Sequence, residues 1–493
     1  MSVNALKSGT SGGAPTLPPG APDWVAAADN PYLQGLYAPL ANELAGEVCE
    51  VEGTLPPDLE GIYLRNGPNP GFAPPNRYHW FDGDAMIHGL VIRDGRATYT
   101  NRWIETAGRL AERDAGRAIW PGLMGPFDFS LPGGPLKDTA NTDLVYFNGR
   151  VLALWYHTGQ PYAVDPVSLA TKGRETLDGT LPFPISAHAH VDELTGEMLL
   201  FSFGERPPYM KYGVVSADGK LIHQTPIELP GPRVPHDMGF TANYSILHDL
   251  PFFHDIEILR TKKRRVATFY PDMPARFAVV PRFGSNADVR WFDAKPCYVL
   301  HIVNCWEDGD WIVMDGYRSA DPKPKPDAAD GELASMLAYL RLEANFYRWE
   351  FNLKTGETRE RDIDDLNAEF PSINRAWGGQ RTRYSYAQHI PHERTLSFKG
   401  LVKYDNQTGR REMIDYGEGV YGSEAPFAPR TGATEEDDGY LVSFTTRIGD
   451  WRSECQIFDA RNIENGPICR VKLPQRLPAG FHATWIRGDQ LWS

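Results

Sequence analysis

Short runs of β-branched and aromatic residues recur along the chain and predict strands. They include VLALWY (151–156), EMLLFSF (197–203), KRRVATFY (263–270), CYVLHIVNCW (297–306) and YLVSFTTR (440–447). Turn sequences such as DELTGE (192–197), SADGK (216–220), LKTGE (353–357) and NQTGR (406–410) separate them. Because one sandwich or barrel rarely uses so much chain, hairpin strands spread over 493 residues predict an all-β fold of the propeller type.

Helical patterns are confined to two segments. They are AGRLAERDAGRAIW (107–120) and DGELASMLAYLRLEANFYRW (330–349), and we expect both to be insertions on one face of the propeller. No blade signature such as a repeated Trp-Asp pair is evident. The propeller prediction therefore depends on the density of strands alone.

The first 24 residues differ in composition from the rest. They are rich in Ser, Gly, Ala and Pro and lack the basic region and apolar run of a secretory signal. We expect a disordered tail over 1–24. Since no low-complexity linker interrupts the remainder, residues 25–493 are predicted to form a single domain.

Charge and cysteine usage exclude several classes of protein. Fifty basic against 64 acidic residues give a net charge of −14, which disfavours a nucleic-acid partner. No stretch approaches the roughly 18 apolar residues of a membrane-spanning helix. The five cysteines are scattered without a C-x-x-C pair, so neither a disulfide framework nor a thiolate zinc site is indicated, and a reducing cytoplasm fits best.

Four of the 13 histidines lie in distinctive, strand-rich contexts. These contexts are SAHAHVDE, VPHDMGF, VLHIVNCWE and AGFHATW, which contain His188, His236, His301 and His482. Their wide separation excludes a helix-borne H-E-x-x-H pair or a zinc finger. Spacing alone does not establish a metal site gathered from around the fold.

A series of motifs from Tyr37 onward resembles the carotenoid cleavage oxygenase family. In chain order they are YLRNGPNP (63–70), HWFDGDAMIHG (79–89), DTANTDLV (138–145), SAHAHVDELTGEM (186–198), PHDMGFT (235–241), HIVNCWE (301–307), EFPSIN (369–374), SEAPFAPR (423–430) and GFHATW (480–485). The resemblance implies a seven-bladed β-propeller whose helices and loops roof a substrate tunnel on one face.

The resemblance also implies a non-haem ferrous iron, Fe(2+), on the propeller axis. Its four ligands map onto His188, His236, His301 and His482. His190 competes for the first position, but the family pattern A-H-x-x-(V/I)-D selects His188. Since residues two apart in a strand share a face, His190 points elsewhere only if the backbone bends.

Three glutamates orient the ligands in the family, and two are recognisable here. Glu369 and Glu424 are expected to support His301 and His482. Tyr156 stands where the third glutamate would support His236, so that histidine is expected to be held less firmly. His157 or a water molecule is an alternative partner.

Four further residues are expected to shape the oxygen and substrate pocket. Thr142, in the TANT motif, would limit access to an open iron position, or is simply a strand threonine. Trp103 and Trp155 occupy the positions of the tyrosine and lysine that clamp the phenol in stilbene-cleaving relatives. They would form an aromatic wall, or else pack in the core, while Lys137 would reach a polar end group.

The segment IWPGLMGPFDFSLPGG (119–134) is apolar but too broken by Pro and Gly for a core helix. Its large side chains would form a patch at the tunnel mouth that draws lipophilic substrate from a membrane surface, with weak attachment because no basic cluster accompanies it. The alternative is a roof loop packed on the propeller. The side chains are Trp120, Leu123, Met124, Phe127 and Phe129.

The resemblance implies that the chain is an iron-dependent dioxygenase. It would use dioxygen to cleave a carbon–carbon double bond of a carotenoid or apocarotenoid-like, lipophilic substrate into two carbonyl products. Cleavage of a stilbenoid or phenylpropanoid alkene is the second interpretation. A non-oxidative propeller that binds a ligand or acts as an isomerase is the third, suggested by the missing glutamate. The expected location is cytoplasmic, peripheral to a membrane at most.

Overall fold

Seven antiparallel sheets and one two-stranded ribbon make up the described part of the chain. The structure is a computed structural model that describes residues 17–75 and 77–492. The sheets are the blades of a seven-bladed β-propeller, as the sequence predicted. Of the predicted tail over 1–24, residues 1–16 lie outside the described residues, whereas the Pro19 carbonyl accepts a hydrogen bond from Arg476.

The seven blades each contain four to six strands. In blade order they are: Glu47–Val48, Gly61–Arg65, Met86–Arg93, Arg96–Trp103 and Ala483–Arg487; Asp143–Phe147, Arg150–Leu154, Tyr162–Val164 and Thr171–Arg174; His190–Val191, Met198–Phe203, Tyr209–Val215 and Leu221–Glu228; Gly239–Phe240, Tyr244–Asp249, Ala275–Pro281 and Arg290–Ala294; Tyr298–Asp308, Trp311–Ser319, Asn345–Asn352 and Thr358–Asp362; Ala368–Ser372, Tyr384–His389, Gly400–Asp405 and Arg410–Asp415; Glu50–Gly53, Val420–Tyr421, Phe427–Pro429, Gly439–Arg447, Ser453–Asp459 and Pro467–Lys472. The ribbon pairs Phe252–His254 with Ala267–Phe269.

The two ends of the chain close the ring of blades. In the first blade, strand Ala483–Arg487 pairs with Gly61–Arg65, so that blade combines strands from the N-terminal and C-terminal parts of the described chain. In the seventh blade, Glu50–Gly53 pairs with Pro467–Lys472. Because each closure exchanges backbone hydrogen bonds between distant segments, the propeller is held as one unit.

Helices are few and short. The α-helices are Ala107–Ala115, Ile256–Lys262, Ala334–Leu337 and Gly488–Leu491, and the 3-10 helices are Asp23–Ala27, Pro31–Leu33, Gly35–Tyr37, Trp80–Asp82, Asn286–Asp288, Ala328–Leu333, Ala338–Leu340, Arg375–Trp377 and Ile463–Asn465. The first predicted helix, 107–120, ends early because Gly116 adopts a left-handed conformation and caps it.

The second predicted helix, 330–349, was half wrong. Helical turns cover 328–340, but Asn345–Asn352 is a strand paired on both sides, with Trp311–Ser319 and Thr358–Asp362. Phe346 and Trp349 are fully buried in that strand. Pairing with two neighbours and burial of aromatic side chains therefore outweigh the local helical pattern.

A layer of apolar side chains roofs one face of the propeller. Met336 and Leu337 from the helical turns pack with Tyr32 and Trp80 from other short helices. The same cluster contains Phe481, which precedes one of the four candidate histidines. The helical turns over 328–340 thus lie over the face on which the candidate site opens, as predicted for that insertion.

Candidate metal centre

The innermost strands of four different blades deliver four histidines to the propeller axis. His301 lies inside strand Tyr298–Asp308, and the other three lie just before inner strands of their blades: His188, His236 and His482. All four come within reach of one another, with one ring nitrogen of each inside a 4.8 Å span. The tertiary structure therefore brings together four histidines whose spacing in the sequence did not establish a common site.

The geometry of the cluster leaves one nitrogen of each ring facing a common centre. The Nε2 atoms of His188 and His236 lie 3.1 Å apart. The Nε2 atom of His301 is buried and has no hydrogen-bond partner among the described residues. An unpaired buried nitrogen of this kind costs free energy unless something binds it.

Local backbone irregularities turn these histidines inward. His188 has a positive φ of 60°, a left-handed conformation that non-glycine residues adopt mainly at functional sites. This is the bend required for His188 and His190 to face different ways. Accordingly, His190 Nε2 contacts Asp237 Oδ1 at 2.8 Å instead of joining the cluster. A register shift between Val299 and Ile302 also brackets His301.

Two carboxylates hold the outer nitrogens of two ligands. His301 Nδ1 lies 2.6 Å from Glu369 Oε2, and His482 Nδ1 lies 3.2 Å from Glu424 Oε1. Both carboxylates also accept a backbone N–H, from Phe370 and Ala483 respectively. Such partners fix the tautomer and the ring orientation, leaving Nε2 free as a ligand atom. These are the pairs that the resemblance implied.

A third carboxylate, Asp143, was not singled out from the sequence. Its Oδ2 lies 3.3 Å from His188 Nδ1, and both side chains are largely buried. The pair holds the pKa of Asp143 well below its usual range even though burial opposes this, so it stays ionised. Its position inside the DTANTDLV motif was a usable signal, but nothing local relates it to a histidine 45 positions further along the chain.

His236 is the histidine of the cluster for which the described residues provide no carboxylate partner. No hydrogen bond joins its Nδ1 to any described residue. Tyr156 packs its ring on Phe81 with centroids 4.8 Å apart, and its hydroxyl makes no hydrogen bond within the described part of the chain. Burial raises the pKa of that hydroxyl, so it carries no charge. Among the four histidines, His188 therefore has a carboxylate partner, Asp143, whereas His236 has none among the described residues.

Replacing Tyr156 by phenylalanine is expected to change metal affinity by less than about twofold, against the 10- to 100-fold cost of losing a true orienting partner. The reason is that the hydroxyl contacts no ligand. The Tyr156→Glu variant should retain metal and show an altered rate of turnover. Metal titration and steady-state kinetics measure both, and a large loss of affinity in the phenylalanine variant would show that the hydroxyl supports His236 after all.

The donor set fits a borderline divalent metal ion. Burial, and then the charge of neighbouring histidines, hold the pKa of His236 and His301 well below the usual range, so both imidazoles are neutral, as ligands must be. Two nitrogens on opposite sides of an ion bound at about 2.1 Å lie about 4.2 Å apart, close to the span observed. Small side-chain adjustments would complete such a site.

An apolar cavity of about 250 Å³ adjoins the cluster beneath the roofed face. His236, His301 and His482 line its inner end. Its walls are mainly apolar, and the mouth is charged, with Lys323, Lys325 and Glu343. The wall residues include Phe81, Leu123, Met124, Phe252, Tyr298, Leu300, Phe370, Leu396 and Phe481. The shape and lining suit a lipophilic chain.

Of the four predicted pocket residues, Thr142 lines this cavity and the other three lie elsewhere. Thr142 lines the cavity and accepts a hydrogen bond from the Tyr156 backbone. Trp155 lines a separate space of about 40 Å³, together with Lys137. Trp103 lies outside the cavity, where its Nε1 donates to the Asn69 carbonyl and Arg109 stacks on its ring.

Lys137 does not reach a substrate end group. Its Nζ is 2.8 Å from Asp84 and 2.7 Å from Glu112, and all three side chains are buried. Both carboxylates bind this buried amine, and the ion pairs hold helix Ala107–Ala115 to the propeller. The expectation that it binds substrate is therefore corrected.

The apolar segment 119–134 is a roof loop and not an exposed patch. Trp120 and Phe127 are buried, and Leu123 and Met124 line the cavity. Phe129 alone of the five predicted patch residues is strongly exposed, at 58%. The membrane-docking interpretation of these residues is corrected, because four of the five side chains are buried or line the cavity. Among the described helices, none is long and apolar enough to cross a membrane.

Comparisons with known proteins agree with this geometry. The family model described as retinal pigment epithelial membrane protein (RPE65) matches residues 37–487. The carotenoid 9,10(9',10')-cleavage dioxygenase 1 of Phaseolus vulgaris is 34% identical over 499 residues, covering 93% of this chain and 90% of that protein.

Two solved structures share the fold over most of both chains. Pseudomonas brassicacearum lignostilbene dioxygenase superposes with a TM-score of 0.83 at 28% identity, covering 93% of this chain and 99% of that one. Cobalt-substituted Synechocystis apocarotenoid oxygenase gives 0.80 at 27% identity, covering 91% and 97%. With the family model and a 34% identical relative both spanning most of its length, the chain belongs to the RPE65/carotenoid cleavage oxygenase family.

Proposed function

We propose that this protein is an iron(II)-dependent dioxygenase that cleaves a carbon–carbon double bond of a carotenoid or apocarotenoid-like substrate into two carbonyl products. One observation carries the proposal: four inward-facing imidazoles form a cluster, and three of them, His236, His301 and His482, line the inner end of an apolar cavity. Neutral nitrogen ligands leave a divalent ion its full charge, and His188, His236, His301 and His482 would hold it. When bound, iron supplies the activation of dioxygen.

The protein's own residues position the substrate and exclude water. The apolar walls align a conjugated chain lengthwise, so that the depth of the cavity decides which double bond lies beside the cluster. Phe370 and Phe481 flank the ligands and keep water from the reacting carbons. Thr142 narrows the space next to the ligands. No acid, base or nucleophile of the protein is needed for the cleavage.

Isotope labelling tests the reaction. Enzyme loaded with ferrous ion under nitrogen and then exposed to ¹⁸O-labelled dioxygen should release two carbonyl products from an apocarotenal, each carrying labelled oxygen. The same protein loaded with zinc should give no product, because zinc has no redox chemistry. Protein that binds no iron and cleaves no alkene would contradict the proposal and favour a non-oxidative binder or isomerase.

Cleavage of a stilbenoid or phenylpropanoid alkene is the second candidate. The fold similarity to lignostilbene dioxygenase favours it. Against it, Trp103 lies outside the cavity and Lys137 is held by two carboxylates, so neither can clamp a phenolate. Parallel product analysis with an apocarotenal and a 4-hydroxystilbene should show turnover of the apocarotenal only, and preference for the stilbene would favour the second candidate.

A further inference from the structure

Arg265 is a largely buried, charged side chain in the wall of the apolar cavity. Arg265 lies between helix Ile256–Lys262 and strand Ala267–Phe269, and only 14% of its side chain is exposed. It lines the large cavity on one side and an adjoining surface cavity on the other. Because a guanidinium is always charged, its removal from water requires compensating hydrogen bonds.

The protein supplies only part of that compensation. Arg265 Nη2 donates to Glu205 Oε1 at 2.8 Å, and the ring of Phe127 lies 5.7 Å from its Cζ. The Nε and Nη1 atoms are buried and have no acceptor among the described residues. Since nearly all buried polar groups in proteins are bonded, these two nitrogens call for a further oxygen acceptor.

The neighbours of Arg265 leave its positive charge only partly balanced. His157 and His254 line the same part of the cavity. Burial, followed by the charge of Arg265, lowers the pKa of both, that of His254 to about 3. Both rings are therefore neutral, as is the Tyr156 hydroxyl. The Nδ1 atom of His254 is also buried without a partner in the described part of the chain.

The other cations that line the cavity are in a different situation. Lys325 is half exposed and pairs with Glu343 at 2.6 Å, Lys323 is exposed to solvent, and Arg341 binds Asp330 and the Lys325 carbonyl. A ligand gains little from groups that water or a carboxylate already satisfies. Among the cations that line the cavity in the described part of the chain, Arg265 is thus the one with buried nitrogens that lack an acceptor.

We propose that Arg265 binds an oxygen of the polar end group of the substrate, a carboxylate in preference to an aldehyde. The substrate is then a conjugated chain with one oxidised end and not a plain hydrocarbon. A charged acceptor forms a stronger hydrogen bond with a guanidinium than a neutral one does. The inference rests on the proposed function, because it names the substrate class of the same cavity.

Ligand binding without turnover tests the inference. Under nitrogen, quenching of tryptophan fluorescence would give dissociation constants for retinoic acid, retinal and axerophtene, which share one polyene skeleton and end in a carboxylate, an aldehyde and a methyl group. The iron-loaded wild-type protein should bind the acid about 10- to 100-fold more tightly than the hydrocarbon. Equal affinities for the three ligands would overturn the proposal.

Two variants separate recognition from structure. Arg265→Met should weaken the acid alone and remove the preference, whereas Arg264→Met, a change at an exposed neighbour, should keep it. A uniform loss for all three ligands in Arg265→Met would assign Arg265 a structural role and overturn the proposal. Arg265→Lys, which keeps the charge, should retain part of the preference. If Arg265→Met does not fold, the wild-type comparison and the lysine variant still decide.

The outcomes distinguish this inference from the proposed function. Protein that prefers the acid but does not cleave alkenes would refute the dioxygenase and leave the anion site. Protein that cleaves a hydrocarbon and an acid equally well would leave the dioxygenase and refute the anion site.

Discussion

Substituting His301 or His482 by alanine is expected to lower bound metal from about one ion per chain to less than about one-tenth. Each change removes one of four neutral ligands and leaves Glu369 or Glu424 without its imidazole. A buried carboxylate without its partner is costly, so neighbouring side chains shift to satisfy it and the remaining rings lose their arrangement. Mass spectrometric metal analysis after anaerobic loading with ferrous ion measures the loss, and alkene cleavage should disappear with it.

His190→Ala is the matched control. It removes a histidine two positions from His188 that bonds Asp237 and points away from the cluster. Metal content should stay nearly stoichiometric in this variant. If His190→Ala empties the site while His188→Ala does not, the assignment of the first ligand is wrong. Circular dichroism of every variant confirms that the propeller has folded.

Asp143→Asn is expected to weaken metal binding by about 10- to 100-fold, the usual effect of removing a carboxylate that orients a histidine ligand. The asparagine can still accept the hydrogen bond from the Leu144 backbone that Asp143 accepts at 2.7 Å. It lacks the charge that holds His188 Nδ1–H. Competition with a chelator of known affinity gives the dissociation constant.

The control for this prediction is Glu307→Gln. Glu307 is an acid in the HIVNCWE motif beside His301, but it accepts hydrogen bonds from Thr241 and Asn243 instead of a ligand. Its variant should bind metal as the wild type does. Equal affinities in Asp143→Asn and Glu307→Gln would show that Asp143 contributes only local structure.

Much of the fold could be predicted because strand periodicity and turn chemistry are local properties. The segment CYVLHIVNCW, for example, predicts the inner strand observed at Tyr298–Asp308. The failure at 330–349 has the same origin. Residues 345–349 have a local pattern that predicts a helix, but their backbone groups pair with the strands on both sides of them in the blade. Their aromatic side chains are buried by that packing.

The candidate site could also be predicted only in part from the sequence. The four histidines and the glutamates Glu369 and Glu424 could be named from flanking motifs, because those motifs resemble a known family. The pocket could not be predicted well. Whether Trp103 or Lys137 faces a ligand depends on which distant side chains bond them first, and here Asn69, Asp84 and Glu112 do.

By itself, the sequence determined the strand-rich architecture, the identity of the four converging histidines and the loss of one supporting glutamate at Tyr156. Only the tertiary structure decided that Asp143 supports His188, that a left-handed turn at His188 sends His190 elsewhere, and that Arg265 faces the cavity. The physical reason is that periodicity reports which residues share a local face. Orientation and charge pairing arise from contacts between segments far apart in the chain.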